Sequence, residues 1–183
     1  MATFKTAGVI NSRMTTLNTV FFLFLIICSF TDVSRRKAYN IVVFPAMFCG
    51  LTLNFLLSGV PGLAHSAAGI TAGFAISFFF FLSGGIGAGD VKFLMAAGGL
   101  KGWEFMLTGA MYGAIIAGIY AFFSSLVRGT LRATVRDAYY FLFMTVVLQQ
   151  RTNIKLKGSP GLPYILFLST GMVLRLIEIE IYL

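Results

Sequence analysis

Apolar residues gather in long runs separated by short polar or glycine-rich breaks, and a run of about 20 mostly apolar residues is what a helix needs to cross a bilayer. The first run covers 14–31, densest from Val20 to Phe30. The second, 41–57, stops at Ser58-Gly59-Val60-Pro61-Gly62, a turn signal. The third, 63–82, stops at Ser83-Gly84-Gly85, and a shorter piece, 91–100, follows Asp90. The longest run is 103–127, opened by Trp103 and Glu104 as an interfacial anchor. A final run, 161–177, ends in Glu178 and Glu180. Between these last two lies a basic stretch whose apolar part, 138–148, suits an interfacial helix better than a span. The pattern predicts an all-α polytopic membrane protein with about six transmembrane segments, the fourth a short helix after a Gly-rich break. It forms a single domain, 1–183, in which 127–160 is a basic cytoplasmic loop.

Composition agrees with the pattern. Of 183 residues 58% are apolar and 11% charged, with a mean hydropathy of +0.89. A soluble enzyme of this size would have to leave much of that surface in water, and disorder needs more charge and fewer aromatics. Cys28 and Cys49 both lie in apolar runs and make no disulfide framework. The first run has no small-residue cleavage site after it, so it is expected to remain as a span.

Charge adds orientation. The chain carries 14 Lys+Arg against 6 Asp+Glu, a formal net charge of +8. Basic loops meeting anionic lipid headgroups explain this excess, and no nucleic-acid partner is expected. Arg35, Arg36 and Lys37 follow the first run, and Arg128, Arg132, Arg136, Arg151, Lys155 and Lys157 follow the fifth. Both clusters become cytoplasmic if the first span runs out-to-in, which leaves Lys5, Arg13 and Lys101 on the other side with both termini. Gly69 with Gly73, and Gly109 with Gly113, have the small-xxx-small spacing of close helix contacts.

The six acids are Asp32, Asp90, Glu104, Asp137, Glu178 and Glu180. In this topology Asp32 and Asp90 end different spans at the same membrane face. Asp90 follows four glycines in seven positions. Irregular backbone at membrane depth is tolerated only where protein or a wet cavity satisfies it, so this break describes a lined polar site. Two facing carboxylates share a proton, and such a pair can activate water while donating to a carbonyl oxygen. His65, the single histidine, falls on the opposite face, which leaves no Ser-His or Cys-His arrangement there. The plainer reading makes both aspartates interfacial charges, paired with Arg35 or Arg36 and with Lys92.

At these residues the chain resembles the type IV prepilin peptidases, membrane aspartic proteases of the GxGD class. Gly87-Ala88-Gly89-Asp90 with Val91-Lys92-Phe93-Leu94 is similar to their second aspartate motif, and Asp32 through Asn40 to the first. Leu162-Pro163-Tyr164 is similar to a Pro-Tyr element opening the last span, so the likeness covers roughly 15–177. Ala38-Tyr39 stands where the family usually has Ile-Pro. Lacking a tetracysteine region, the chain resembles the short, peptidase-only form of tight-adherence (Flp-type) pilus systems, with no methyltransferase activity expected. The resemblance implies removal of prepilin or pseudopilin leaders at the cytoplasmic face of the bacterial inner membrane. It makes Asp32 and Asp90 catalytic, supported by Gly87, Gly89, Lys92 and Asn40, with no cofactor and no metal. A non-enzymatic pilus or secretion assembly factor and a small proton-coupled carrier are the alternatives.

Overall fold

The computed structural model describes residues 2–35, 39–82, 85–130, 132, 135–136 and 164–182, with side chains described from Thr16 onward. Among them the chain forms five helices: α1 (Ala2–Arg35), α2 (Asn40–Leu82), α3 (Ala88–Lys101), α4 (Trp103–Val127) and α5 (Tyr164–Tyr182).

The expectation of about six transmembrane segments is not met. Among the described residues three helices are long and apolar enough to cross a membrane: Thr16–Arg35 within α1, Asn40–Leu82 and Trp103–Val127. Each difference has a physical cause. The second and third apolar runs are two helices that abut at a kink at Gly59 (φ 66°, ψ −147°) without a loop between them, together the 43 residues of α2. Helix α3 has 14 residues, about 21 Å of rise against a hydrocarbon core of about 30 Å. Helix α5 carries Arg175, Glu178 and Glu180 in its second half, which denies it a long uncharged stretch. The interfacial helix expected at 138–148, Arg36, Lys37, Asp137 and most of the basic loop lie outside the described residues.

Gly59 turns α2 back on itself, so Gly62 meets the Asn54 carbonyl. Both halves then hold α3. A Cβ on Gly50 would lie 2.7 Å from the Gly99 carbonyl oxygen, and one on Gly73 would lie 2.8 Å from that of Leu94. Gly69 abuts the Gly98 backbone. Asn54 and Ser66, one from each half, both donate to the Gly99 carbonyl. That bond satisfies an acceptor in the last turn of α3, where the intrahelical ladder runs out. Gly109 and Gly113 meet Met172 and Leu168 of α5. Both glycine patterns therefore lie at helix contacts, where the absent side chain lets backbones approach.

The core draws on all five helices, and its aromatic part sits between α1, α3 and α4. Phe24 stacks on Phe93 at 5.3 Å, and Phe21 meets Phe105 edge-on at the same separation. Lys101, at the end of α3, donates to Asn18 of α1 and lies about 6 Å from the Phe21 and Phe105 rings. Helices α1 and α3 thus run antiparallel. Lys101 and Asn18 hold one end, and Asp32 and Asp90 stand at the other.

Candidate active site

Among the described residues Asp32 and Asp90 are the only buried charged side chains, 7% and 8% exposed. Burying a carboxylate costs several kcal/mol unless it is paired and hydrogen-bonded, so two together require explanation.

Asp32 lies in the last turn of α1, one turn beyond the buried Cys28 and on the same face. Its Oδ2 accepts a 3.0 Å hydrogen bond from the backbone N–H of Ile165. Ile165 is the second residue of α5, and the first N–H groups of a helix have no intrahelical partner. The positive end of the α5 dipole therefore points at the Asp32 carboxylate.

Asp90 is the third residue of α3. Its Oδ2 accepts the Gly87 N–H at 2.9 Å, while the Gly87 carbonyl accepts from the Asp90 and Val91 amides. The short, glycine-led turn thus fixes the carboxylate at its own helix's N-terminus. Burial raises the Asp90 carboxyl to about 6, the Gly87 N–H opposes that shift, and the charge on Asp32 adds to it. The two carboxylates therefore feel each other, though they come from different helices.

Gly87 is extended (φ −82°, ψ 159°), a conformation open to any residue. What its lack of a side chain supplies is space, since a Cβ there would stand 3.4 Å from the Asp90 carboxylate. Gly89 is half-buried within the first turn of α3. Lys92 donates to Asn40 Oδ1 at 2.9 Å, strapping the start of α3 to the start of α2. Arg35 donates to the Tyr39 hydroxyl at 3.2 Å. The Lys92 ammonium thus meets Asn40, where the plainer reading had paired it with Asp90.

Asp90 also forms part of the wall of a cavity of about 530 Å³ between the second half of α2, α3, α4 and α5. Tyr164 stands in the same wall, and the rest is almost wholly apolar. His65 packs beside Gly102, at the far end of α3 from Asp90, about 18 Å away along the helix. No histidine is left to serve a nucleophile beside the aspartates. Among the described residues no three metal-ligating side chains converge.

The model of the Type IV leader peptidase family matches residues 19–122, more than half of the chain and a range containing both aspartates. The chain belongs to that family. This leader peptidase is a hydrolase of the membrane, built of helices and crossing the bilayer more than once. No curated protein and no solved structure matches the chain. The family match ends inside α4, so α5, which supplies the Ile165 amide to Asp32, lies beyond it. That amide is the contact the sequence concealed. A backbone N–H has no residue signature, and the available sign was the start of the final apolar run, 161–177. Tyr164 had the Pro-Tyr likeness as its signal; Leu162 and Pro163 lie outside the described residues.

Proposed function

We propose that Asp32 and Asp90 form a water-activating dyad that hydrolyses the leader peptide bond of a prepilin or pseudopilin. The reaction takes place at the cytoplasmic face of the bacterial inner membrane. The observation that carries this reading is the burial of two interacting carboxylates on separate helices of a chain in a peptidase family. Each accepts a backbone N–H from a helix start, which fixes its orientation without neutralising it.

Two neighbouring carboxyls in a dry site hold one proton between them near neutral pH. The ionised member takes a proton from a water molecule as its oxygen bonds to the scissile carbonyl carbon. The protonated member gives its proton to the carbonyl oxygen, producing a neutral tetrahedral diol. Collapse breaks the C–N bond, the departing nitrogen receives a proton from the dyad, and a carboxylic acid and an amine result. No covalent enzyme intermediate forms.

Gly87 and Gly89 shape the turn that presents Asp90, and the Lys92–Asn40 strap holds that turn against α2. The basic residues that cluster at this end of the chain bind anionic lipid headgroups.

Co-expression of a prepilin with wild type, Asp32→Asn and Asp90→Asn tests the dyad. Each substitution is expected to lower cleavage by at least about a thousandfold while the protein accumulates in the membrane normally. A folded variant that cleaves like wild type overturns the reading.

A further inference from the structure

The first turn of α5 reaches both carboxylates. The Ile165 amide holds Asp32, and the side chain of Tyr164, one residue earlier, shares a wall with Asp90. The phenol is close enough to Asp90 to feel its charge: burial first, and then the Asp90 carboxylate, raise the hold of Tyr164 on its proton. Its O–H therefore stays intact near neutral pH as a neutral donor. Three polar side chains stand in that wall: Ser77, Asp90 and Tyr164. Ser77 Oγ is spent on the Gly73 carbonyl of its own helix, and Asp90 accepts the Gly87 N–H. No described residue accepts a hydrogen bond from the Tyr164 hydroxyl. A phenol set among apolar groups usually finds a partner, and Tyr164 is 38% exposed, so a bound peptide can reach it.

The two-aspartate scheme leaves a place for such a donor. A carbonyl oxygen has two lone pairs; the dyad's proton takes one, and the other stays unserved against an apolar wall. We infer that Tyr164 is a third catalytic residue, its hydroxyl donating a hydrogen bond to the scissile carbonyl oxygen from the Asp90 side as the carbon becomes tetrahedral. The inference rests on the dyad reading. Tyr164 transfers no proton: the dyad's proton moves to the carbonyl oxygen, the C–N bond breaks as before, and the phenol O–H is unbroken throughout. Its bond is strongest as the C=O double bond opens and charge gathers on oxygen. It therefore lowers the barrier without tightening the grip on the uncleaved peptide. The ring is apolar wall, a part phenylalanine plays equally well, and the hydroxyl alone carries the chemistry.

The experiment measures steady-state prepilin cleavage across pH by the full chain in lipid nanodiscs, comparing wild type with Tyr164→Phe, Tyr164→Leu and Asp90→Asn. Tyr164→Phe removes a hydroxyl that no described residue uses, so its Tm should match wild type. Its kcat at optimum pH should fall about a hundredfold, with KM within about twofold of wild type. Tyr164→Leu, which lacks both ring and hydroxyl, should lose at least as much kcat. A Tyr164→Phe variant that reaches the wild-type kcat at its own optimum pH overturns the inference, because the side chain then only packs or only tunes Asp90. So does a rise in KM with kcat kept, which marks a contact to the uncleaved peptide alone. If the Phe variant does not fold, a folded Tyr164→Leu with wild-type kcat overturns it equally. A folded Asp90→Asn that cleaves like wild type overturns the dyad reading itself, whatever Tyr164→Phe does, and the third residue falls with it.

Discussion

Asp90 shows how a residue's chemistry and its stability pull in opposite directions. Its carboxyl titrates at about 6, against 3.8 for the ordinary group, so the folded protein holds this proton more tightly than the unfolded chain does. A raised carboxyl contributes its stability in full below about pH 4 and loses it as pH rises through about 6. The loss is on the order of 3 kcal/mol. Asp90→Asn keeps an acceptor for the Gly87 N–H and cannot ionise. Thermal unfolding should therefore find it equal to wild type near pH 4 and more stable by about 1–3 kcal/mol at pH 7.5. A gap that stays the same at both pH values would contradict the buried carboxylate. The same titration predicts that cleavage falls on the alkaline side once the proposed dyad loses its shared proton, a limb that Asp32→Asn, expected not to cleave, should not display. Asp90 was legible in the sequence because four glycines precede it. Asp32 was legible by its place at the end of an apolar run and by the likeness of Asp32 through Asn40 to the family's first aspartate motif. Their partners were not, since Gly87 and Ile165 act through backbone amides that any residue possesses.

Among the elements, the helices were readable from hydropathy where one apolar run makes one helix, as in α4, whose limits Trp103–Val127 coincide with the run. Hydropathy leaves open how short a break can be. Ser58-Gly59-Val60-Pro61-Gly62 reads as a turn signal, and the chain does turn there, with only Gly59 departing from helical geometry, at φ 66° and ψ −147°. That conformation is close to one that is nearly glycine-only, and the surrounding space is open. Gly59→Ala therefore meets strain without a clash and should cost about 1–3 kcal/mol of stability, with cleavage retained. Gly69→Ala differs, because its new Cβ would strike the Gly98 backbone of α3. Backbone cannot rotate aside as a side chain can, so α3 must move and Asp90 moves with it. Cleavage assays beside thermal unfolding should show Gly69→Ala losing both activity and stability. If Gly69→Ala cleaves like wild type, α3 is not held as described. The glycine spacing announced a helix contact in advance; that Gly98 and Leu94 of α3 receive it required the fold.

At the scale of the whole molecule, charge divides along the bundle axis. Arg35 closes α1 and Arg128 closes α4, at the end where Asp32 and Asp90 lie. The far end holds His65, Lys101 and Glu104, with Glu180 close enough for its charge to act on Lys101. Basic segments are retained on the cytoplasmic side, so the proposed dyad is expected to face the cytoplasm. The turn at Gly59 should then face outward, since α2 rises about 28 Å between Asn40 and Gly59. Single cysteines test this in a Cys49→Ser background, which leaves the buried Cys28 as the remaining native thiol. Arg35→Cys and Val127→Cys should react with a membrane-impermeant maleimide in inside-out vesicles, and Val60→Cys in right-side-out ones. Val60 and Val127 are 70% and 87% exposed, so reagent access is limited by the membrane alone. Labelling of positions 35 and 127 from opposite sides would break the shared end that the dyad requires. Labelling of both from outside would keep the dyad intact and reverse the molecule, leaving a cytoplasmic leader beyond its reach.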